Sequence, residues 1–293
     1  MVELSVIMPN FNDSQFLEDS FRSVSSQTFE DIELVFVDDG STDTSLSIAE
    51  SLAKSDSRIR IVRHAQNRGT SAALNTGMKS AKADLMTFMG ADDLFAPERA
   101  QRLVDLSQTA SPAVIYSDPI YLTKNARKVE ATASKALLRP SGMILGQLLC
   151  GRFRFSAGMI AAPKAYFETV GDYDETLRWG EDFEMALRLA EKFRFVFDPV
   201  CTYGYRLYEE NATNSTKRKD RWLQQGRILE KHLISNYDQQ DNKTRRTSFI
   251  YLTSCLVASG RWGSVIRHGF TKEAGFRAMV GLPFRALRSK LQE

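Results

Sequence analysis

Among the places where the sequence sets two acids side by side, three stand at the start or end of a patterned segment: Asp38-Asp39 in FVDDGSTD, Asp92-Asp93 in MGADD, and Glu181-Asp182 in WGEDFEMALRLAE. Adjacent carboxylates repel unless a cation, a hydrogen-bond donor or a proton relieves them. Each pair is therefore a candidate for metal binding, ligand recognition or acid–base work. A carboxylate within hydrogen-bond reach of a hydroxyl can take its proton and turn a poor nucleophile into a good one. Each pair also has a plainer use. Asp38 and Asp39 can make a turn before a helix capped by Ser41, Asp92 and Asp93 can lead into the helix behind Pro97, and Asp182 can favour the positive end of a helix dipole. Residue type leaves both uses open, and position in the fold must separate them.

The elements that carry these acids alternate. Apolar runs at Leu4–Met8, Ile32–Val37, Arg58–Val62, Leu85–Met89 and Ala113–Tyr116 read as strands. Between them, Phe16, Leu17, Phe21 and Val24, then Leu46, Ala49 and Leu52, then Ala72, Ala73, Met78 and Ala81 recur at helical spacing. Strands joined by helices imply right-handed crossovers and a mostly parallel sheet, an α/β fold. Residues 118–165 are less regular, with a strand expected only near Gly158–Ala161. A helix is expected from Glu181 to Phe193, a strand near Phe195–Phe197, and helical structure from Arg218 onward. Ligands bind beyond the carboxyl ends of such strands. Those ends here are Pro9-Asn10-Phe11-Asn12, Asp38-Asp39-Gly40-Ser41 and Gly90-Ala91-Asp92-Asp93, so two acid pairs meet on one edge and favour a site there. No GxGxxG follows the first strand and there is no GxxxxGK[ST], which argues against a dinucleotide fold and a P-loop. A phosphate-bearing ligand remains open, because Mg²⁺ and Mn²⁺ sites often use one or two carboxylates plus the substrate's phosphates.

Composition narrows the class further. The chain has 293 residues, 43% hydrophobic and 26% charged, which is globular and long enough for one large domain or a domain plus an appendage. No apolar run is long enough to span a membrane, and MVELSVIMPN is not a secretory signal. Cys150, Cys201 and Cys255 lack metal spacing and are expected as reduced thiols of a cytoplasmic protein. The net charge of +3 hides an asymmetry: residues 217–293 carry +10 and residues 1–216 carry −7. We therefore expect two parts, 1–216 and a basic helical extension, 217–293.

Taken in order, SVIMPNFN, SVSSQTFEDIELVFVDDGSTD, NRGTSAALNTGMKSAKADLMTFMGADD and WGEDFEMALRLAE resemble the signatures of family 2 glycosyltransferases of the GT-A fold. The resemblance implies a Rossmann-like sheet flanked by helices and inverting transfer of a sugar from a nucleotide-sugar donor, UDP being the family's commonest carrier. It implies that Pro9, Asn10 and Phe11 hold the nucleoside and that Asp39 bonds a uracil-like base edge. Asn67 and Arg68, with Gly69, would pass beside the base and diphosphate, and Ala91 and Asp92 would also meet the nucleotide. Asp92 matches the metal position that ends the DxD motif, implying Mn²⁺ or Mg²⁺, with Asp93 helping through water. Asp182 matches the general base, with Glu181 beside it. The chain departs from the pattern twice. Gly90 stands where the usual first Asp would be, and no histidine occupies the region of Tyr208, so no histidine is assigned to the metal. The acceptor implied is a hydroxyl of a surface glycan, lipid-linked if the tail touches a membrane.

Gly90 keeps one alternative open, a non-catalytic nucleotide-sugar-binding or scaffold protein on the same fold. A sugar-phosphate nucleotidyltransferase would want a Gly-rich, basic loop after the first strand, and PNFNDSQF is not one. Trp179 can stack on an acceptor or close the core, and Phe193, Phe195 and Phe197 read as core. In the tail, Phe276, Met279, Val280, Phe284, Leu287 and Leu291 recur at roughly helical spacing among Arg277, Arg285, Arg288 and Lys290. A basic amphipathic helix signals a membrane surface, and packing on the catalytic domain is the other reading. No recognised module supports nucleic-acid binding.

Overall fold

The computed structural model describes residues 2–110, 112–129, 139–153, 155–209 and 218–259. The chain divides into two compact units, Met1–Met143 with Phe155–Glu209, and Ile144–Arg154 with Glu210–Glu293. The expected division at 216/217 leaves out the short segment Ile144–Arg154, which groups with the C-terminal helices. The amphipathic stretch 274–291 lies outside the described residues.

The first unit is built on an eight-stranded sheet: β1 (Leu4–Asn10), β2 (Ile32–Asp38), β3 (Ile59–Arg63), β4 (Leu85–Phe88), β5 (Leu94–Phe95), β6 (Val114–Thr123), β7 (Ile160–Pro163) and β8 (Phe195–Leu207). The spatial order is β3-β2-β1-β4-β7-β6-β8-β5. The β3-β2-β1-β4 half is parallel throughout, and its crossovers are α1 (Ser14–Ser25), α2 (Ser45–Ser55) and α3 (Thr70–Ser80). β1 and β2 are buried on both faces, which is why they read as near-continuous apolar runs. Pro9 fits this central strand for a local reason. Its missing N–H would point toward β4, and that pairing ends at Ile7–Phe88.

The fifth expected strand, here β6, does not extend the parallel half directly. β7 lies antiparallel between β4 and β6, and β6 then pairs with β8 in parallel. α4 (Arg99–Thr109), α6 (Lys164–Val170) and α7 (Glu181–Lys192) complete this unit. Phe195 is core as expected, whereas Phe193 is only half-buried and stacks on Tyr166 with 3.8 Å between ring centres. The second unit holds α5 (Leu145–Leu149), α8 (Arg218–Ser235) and α9 (Asn242–Ala258), the last capped by Asp241 through the Thr244 N–H at 2.8 Å. None of the three cysteines is in a disulfide.

Candidate active site

β1, β2 and β4 end on the same edge, and the residues beyond them interlock. The Asn10 amide donates to Asp38 Oδ1 at 3.3 Å and to Ser41 Oγ at 3.0 Å, while Asn10 Oδ1 is buried without a partner. Ser41 does not cap α2. Its hydroxyl oxygen accepts the Asn12 N–H at 3.1 Å, the helix starts later, at Ser45, and the Ser45 N–H goes to Asp43 at 2.9 Å. Phe11 stands out from this edge, 44% exposed.

Asp39 is buried and takes three donors. Oδ1 accepts from the Arg68 N–H at 2.9 Å and from His64 Nδ1 at 2.6 Å, and Oδ2 accepts from the Gly69 N–H at 2.8 Å. Asp39 thereby fastens the Asn67-Arg68-Gly69 stretch to the end of β2. Gly40 makes that approach feasible: its φ is +72°, and a Cβ there would lie 2.6 Å from the Gln66 backbone. The side chains of Asn67 and Arg68 stay exposed, with Arg68 3.4 Å from Glu175.

The Gly90–Asp93 turn separates residues that the sequence grouped together. Asp93, expected to assist a metal, is 3% exposed and turned inward. Its Oδ2 accepts the Tyr203 hydroxyl and its Oδ1 the Arg206 N–H at 2.8 Å. Both oxygens accept from β8 and the side chain is buried, so it acts as a strut for the turn. Ala91, expected beside the nucleotide, is also buried, and its carbonyl accepts the Ser20 hydroxyl at 2.7 Å. Asp92 remains half-buried at the edge. Its Oδ2 accepts from the Tyr208 hydroxyl at 2.9 Å, and Arg206 Nε grips its backbone carbonyl at 2.6 Å. Burial raises the Asp92 carboxyl, with Tyr208 pulling the other way.

The sequence reading passed over Asp13, one residue beyond the end of β1 as it was read. Phe16 in the first turn of α1 packs on Tyr208 with 4.9 Å between ring centres, which brings Asp13 toward Asp92. Burial, then Asp92 and Asp43, push the Asp13 carboxyl up to about 7. The available signal was its place just past a strand end, on the edge where the other acids gather.

A divalent cation fits this corner. The donors are hard carboxylate oxygens with mutual repulsion that a cation would relieve. Among the described residues no group of three or more His, Cys, Asp or Glu forms a closed site, so Asp92 would share a cation with substrate phosphates and water. Gly90 cannot be read as a simply missing ligand, because a Cβ there would lie 2.7 Å from both Asp92 Oδ1 and Asp93 Oδ2.

Glu181 and Asp182 open α7, preceded by Gly180 in the left-handed conformation. The loop before the helix is clamped from two sides. Arg188 of α7 pairs with Glu184 at 2.8 Å and donates to the carbonyls of Val170, Gly171 and Asp172. Asn75 of α3 accepts the Tyr173 N–H at 2.7 Å and donates to Tyr173 O at 3.0 Å and to Glu175 at 3.1 Å. Asp182 Oδ1 is buried and has no hydrogen-bond partner. Burial first, then Glu181, raise the Asp182 carboxyl well above the ordinary range, with the Ala157 backbone N–H working against them.

Comparison with known proteins agrees with this architecture. The family model described as Glycosyl transferase family 2 matches residues 5–167. An uncharacterized glycosyltransferase of Bacillus subtilis, EpsJ, is 30% identical over 225 residues, 73% of this chain. The matched stretch is 63% of that relative's length, and 30 to 40% of the length of three further curated glycosyltransferases. Among solved structures, Staphylococcus aureus TarS 1–349 with UDP-GlcNAc superposes with a TM-score of 0.71 at 17% identity, covering 94% of this chain and 79% of that one. The mannosyltransferase PcManGT of Pyrobaculum calidifontis, with GDP-Man and Mn²⁺, gives 0.61 at 16%, covering 99% and 83%. The α/β architecture is the GT-A fold that the sequence resemblance implied. With the family model matched over more than half of its length, the chain belongs to glycosyl transferase family 2.

Proposed function

We propose that the chain is an inverting glycosyltransferase that moves a sugar from a nucleotide-sugar donor to a hydroxyl of a glycan or lipid-linked acceptor. The donor in this reading is UDP-linked, the product is a cell-surface polysaccharide, and the protein works in the cytoplasm, peripheral on the inner face of the membrane. A neighbour of the same fold binds UDP-GlcNAc, which supports a nucleotide-sugar donor. Another binds GDP-Man with Mn²⁺, which supports a cation. Pro9, Asn10, Phe11, Asp39, Asn67 and Arg68 are the residues we assign to the nucleotide. Asp92 would hold Mn²⁺ or Mg²⁺, which when bound neutralises charge on the diphosphate.

One observation carries the reading: half-buried Asp182 has a buried, unpartnered carboxylate oxygen at the start of a helix whose entry loop is clamped. In the reaction, Asp182 takes the acceptor hydroxyl's proton as that oxygen bonds to the anomeric carbon. The bond from that carbon to the donor diphosphate breaks, and the diphosphate leaves with the electron pair. A base must be ionised to accept a proton, so transfer should fall with decreasing pH at a point above the ordinary carboxylate range. Asp182→Asn should cost transfer on the order of 10²–10⁴-fold with nucleotide affinity nearly unchanged and no loss of melting temperature. If Asp182 served only the helix end, Asn would substitute well. Near-normal turnover in Asp182→Asn with saturating acceptor would return the search for a base to Glu181.

A further inference from the structure

His64 is a buried titratable residue that the proposed chemistry leaves unused. It follows β3, its backbone N–H donates to Asp38 O at 2.9 Å, and it is 7% exposed. Its ring bridges two elements, with Nδ1 2.6 Å from Asp39 Oδ1 and Nε2 2.9 Å from Thr76 Oγ1 of α3. An ionised carboxylate can only accept, so Nδ1 carries a proton, and in the neutral ring Nε2 accepts the Thr76 hydroxyl.

Acceptor capacity decides what this bridge does. Each carboxylate oxygen takes about two hydrogen bonds. Oδ1 of Asp39 is filled by the His64 ring and the Arg68 N–H, whereas Oδ2 holds only the Gly69 N–H at 2.8 Å. One acceptor position therefore remains on Oδ2, and its direction depends on the rotation of the carboxylate. The two backbone amides restrain that rotation from an exposed stretch, and the His64 ring restrains it from the buried side. We propose that His64 is a positioning residue for donor recognition. It fills Oδ1 of Asp39 and so aims the open acceptor of Oδ2 at an N–H on the base of the bound nucleotide. This rests on the reading that Asp39 meets that base. An aimed acceptor favours a base edge that carries an N–H, as uracil does, over the bare ring nitrogen of cytosine.

The test is calorimetry of UDP and of CDP, each with Mn²⁺, on the full chain and on His64→Ala, His64→Asn and Asp39→Ala. His64→Ala should weaken UDP about tenfold, the usual worth of a hydrogen bond to a charged group, and leave CDP unchanged, so the preference for UDP shrinks. His64→Asn should restore most of the UDP affinity, because its Nδ2 can stand in for Nδ1–H. In the wild-type chain, long-range ¹⁵N–¹H spectra should report His64 protonated at Nδ1, a readout that needs no variant to fold. UDP affinity unchanged in His64→Ala, no rescue by His64→Asn, or an unprotonated Nδ1 would each overturn the proposal. Loss of UDP binding in Asp39→Ala without loss in His64→Ala removes only the role of His64. UDP binding unchanged in Asp39→Ala removes the reading of Asp39 on which it stands.

Discussion

Asp13 begins α1 without capping it: no first-turn N–H reaches its side chain, and the Ser14 N–H goes to Asp43 at 3.0 Å. The residue thus forgoes the ordinary stabilising use of an acid at a helix start while holding a carboxyl pushed up to about 7. The consequence for stability has a definite sign. A carboxyl that titrates higher in the folded chain than in the unfolded one binds its proton preferentially when folded. Between its ordinary 3.8 and about 7, stability therefore falls as the pH rises, and it levels off above that window. Asp13→Asn removes this contribution. Thermal melts without divalent cation should show the variant several degrees above the wild type at mildly alkaline pH, and level with it in acid. A gap that does not change with pH would refute the account. The sequence could nominate Asp92 from its position after β4. The resemblance already set Asp92, at the metal position, apart from Asp93, helping through water, but the hydroxyl of Tyr203 and the amide of Arg206 that hold Asp93 inward come from more than a hundred residues away and were not legible. Asp13 was passed over for the opposite reason, since an acid beside a helix start already has a sufficient local explanation.

The entry to α7 shows how elements, and not single residues, hold the proposed base. Asn75 reaches from α3 to the Tyr173–Glu175 stretch, and Arg188 reaches back from α7 to Val170–Asp172, so the loop is fixed on two helices before it turns at Gly180. Asn75→Ala would leave the buried Tyr173 N–H without its acceptor, costing about 1–3 kcal/mol. It would also loosen the start of the helix that carries Asp182. The variant should unfold at lower denaturant with an unchanged slope and should lose turnover while keeping its nucleotide affinity. Equal loss of both, at unchanged stability, would argue against this division. These contacts were not readable in advance, because each joins segments that look complete by themselves. The parallel half of the sheet was legible because β1, β2 and β4 are apolar and bounded by turns. The other half was not. β6 runs on past Ser117 through a register shift at Pro119, and a proline inside a strand normally argues against one. Arg99 was equally opaque. It is a charged residue in α4 that is nonetheless buried, donating to Gly158 O at 2.7 Å and to Thr202 at 3.1 Å and stacking over Phe95.

At the scale of the whole molecule, charge is divided along the chain, −7 before residue 217 and +10 from there on. An anionic surface would repel the first part and attract the second, so orientation as well as affinity follows from the split. Among the described residues no helix is long and apolar enough to cross a membrane, and adsorption through the basic tail is the mode to test. Arg277, Arg285, Arg288 and Lys290 lie between apolar residues in the last twenty positions. Each basic residue near an anionic bilayer contributes about 1 kcal/mol, so this cluster could dominate binding. That attraction decays over about 8 Å at physiological salt, whereas apolar insertion does not depend on ionic strength in this way. The full chain should therefore sediment with phosphatidylserine-containing vesicles at low salt, and less with vesicles of neutral lipid. A chain ending at residue 273 should lose most of that binding, and added salt should weaken the full chain toward the truncated one. Donor affinity should be the same in both forms, because the residues proposed for the nucleotide all lie before residue 210. If the full chain ignores anionic vesicles at low salt, or binds neutral ones equally well, the basic tail does not hold this protein to a membrane.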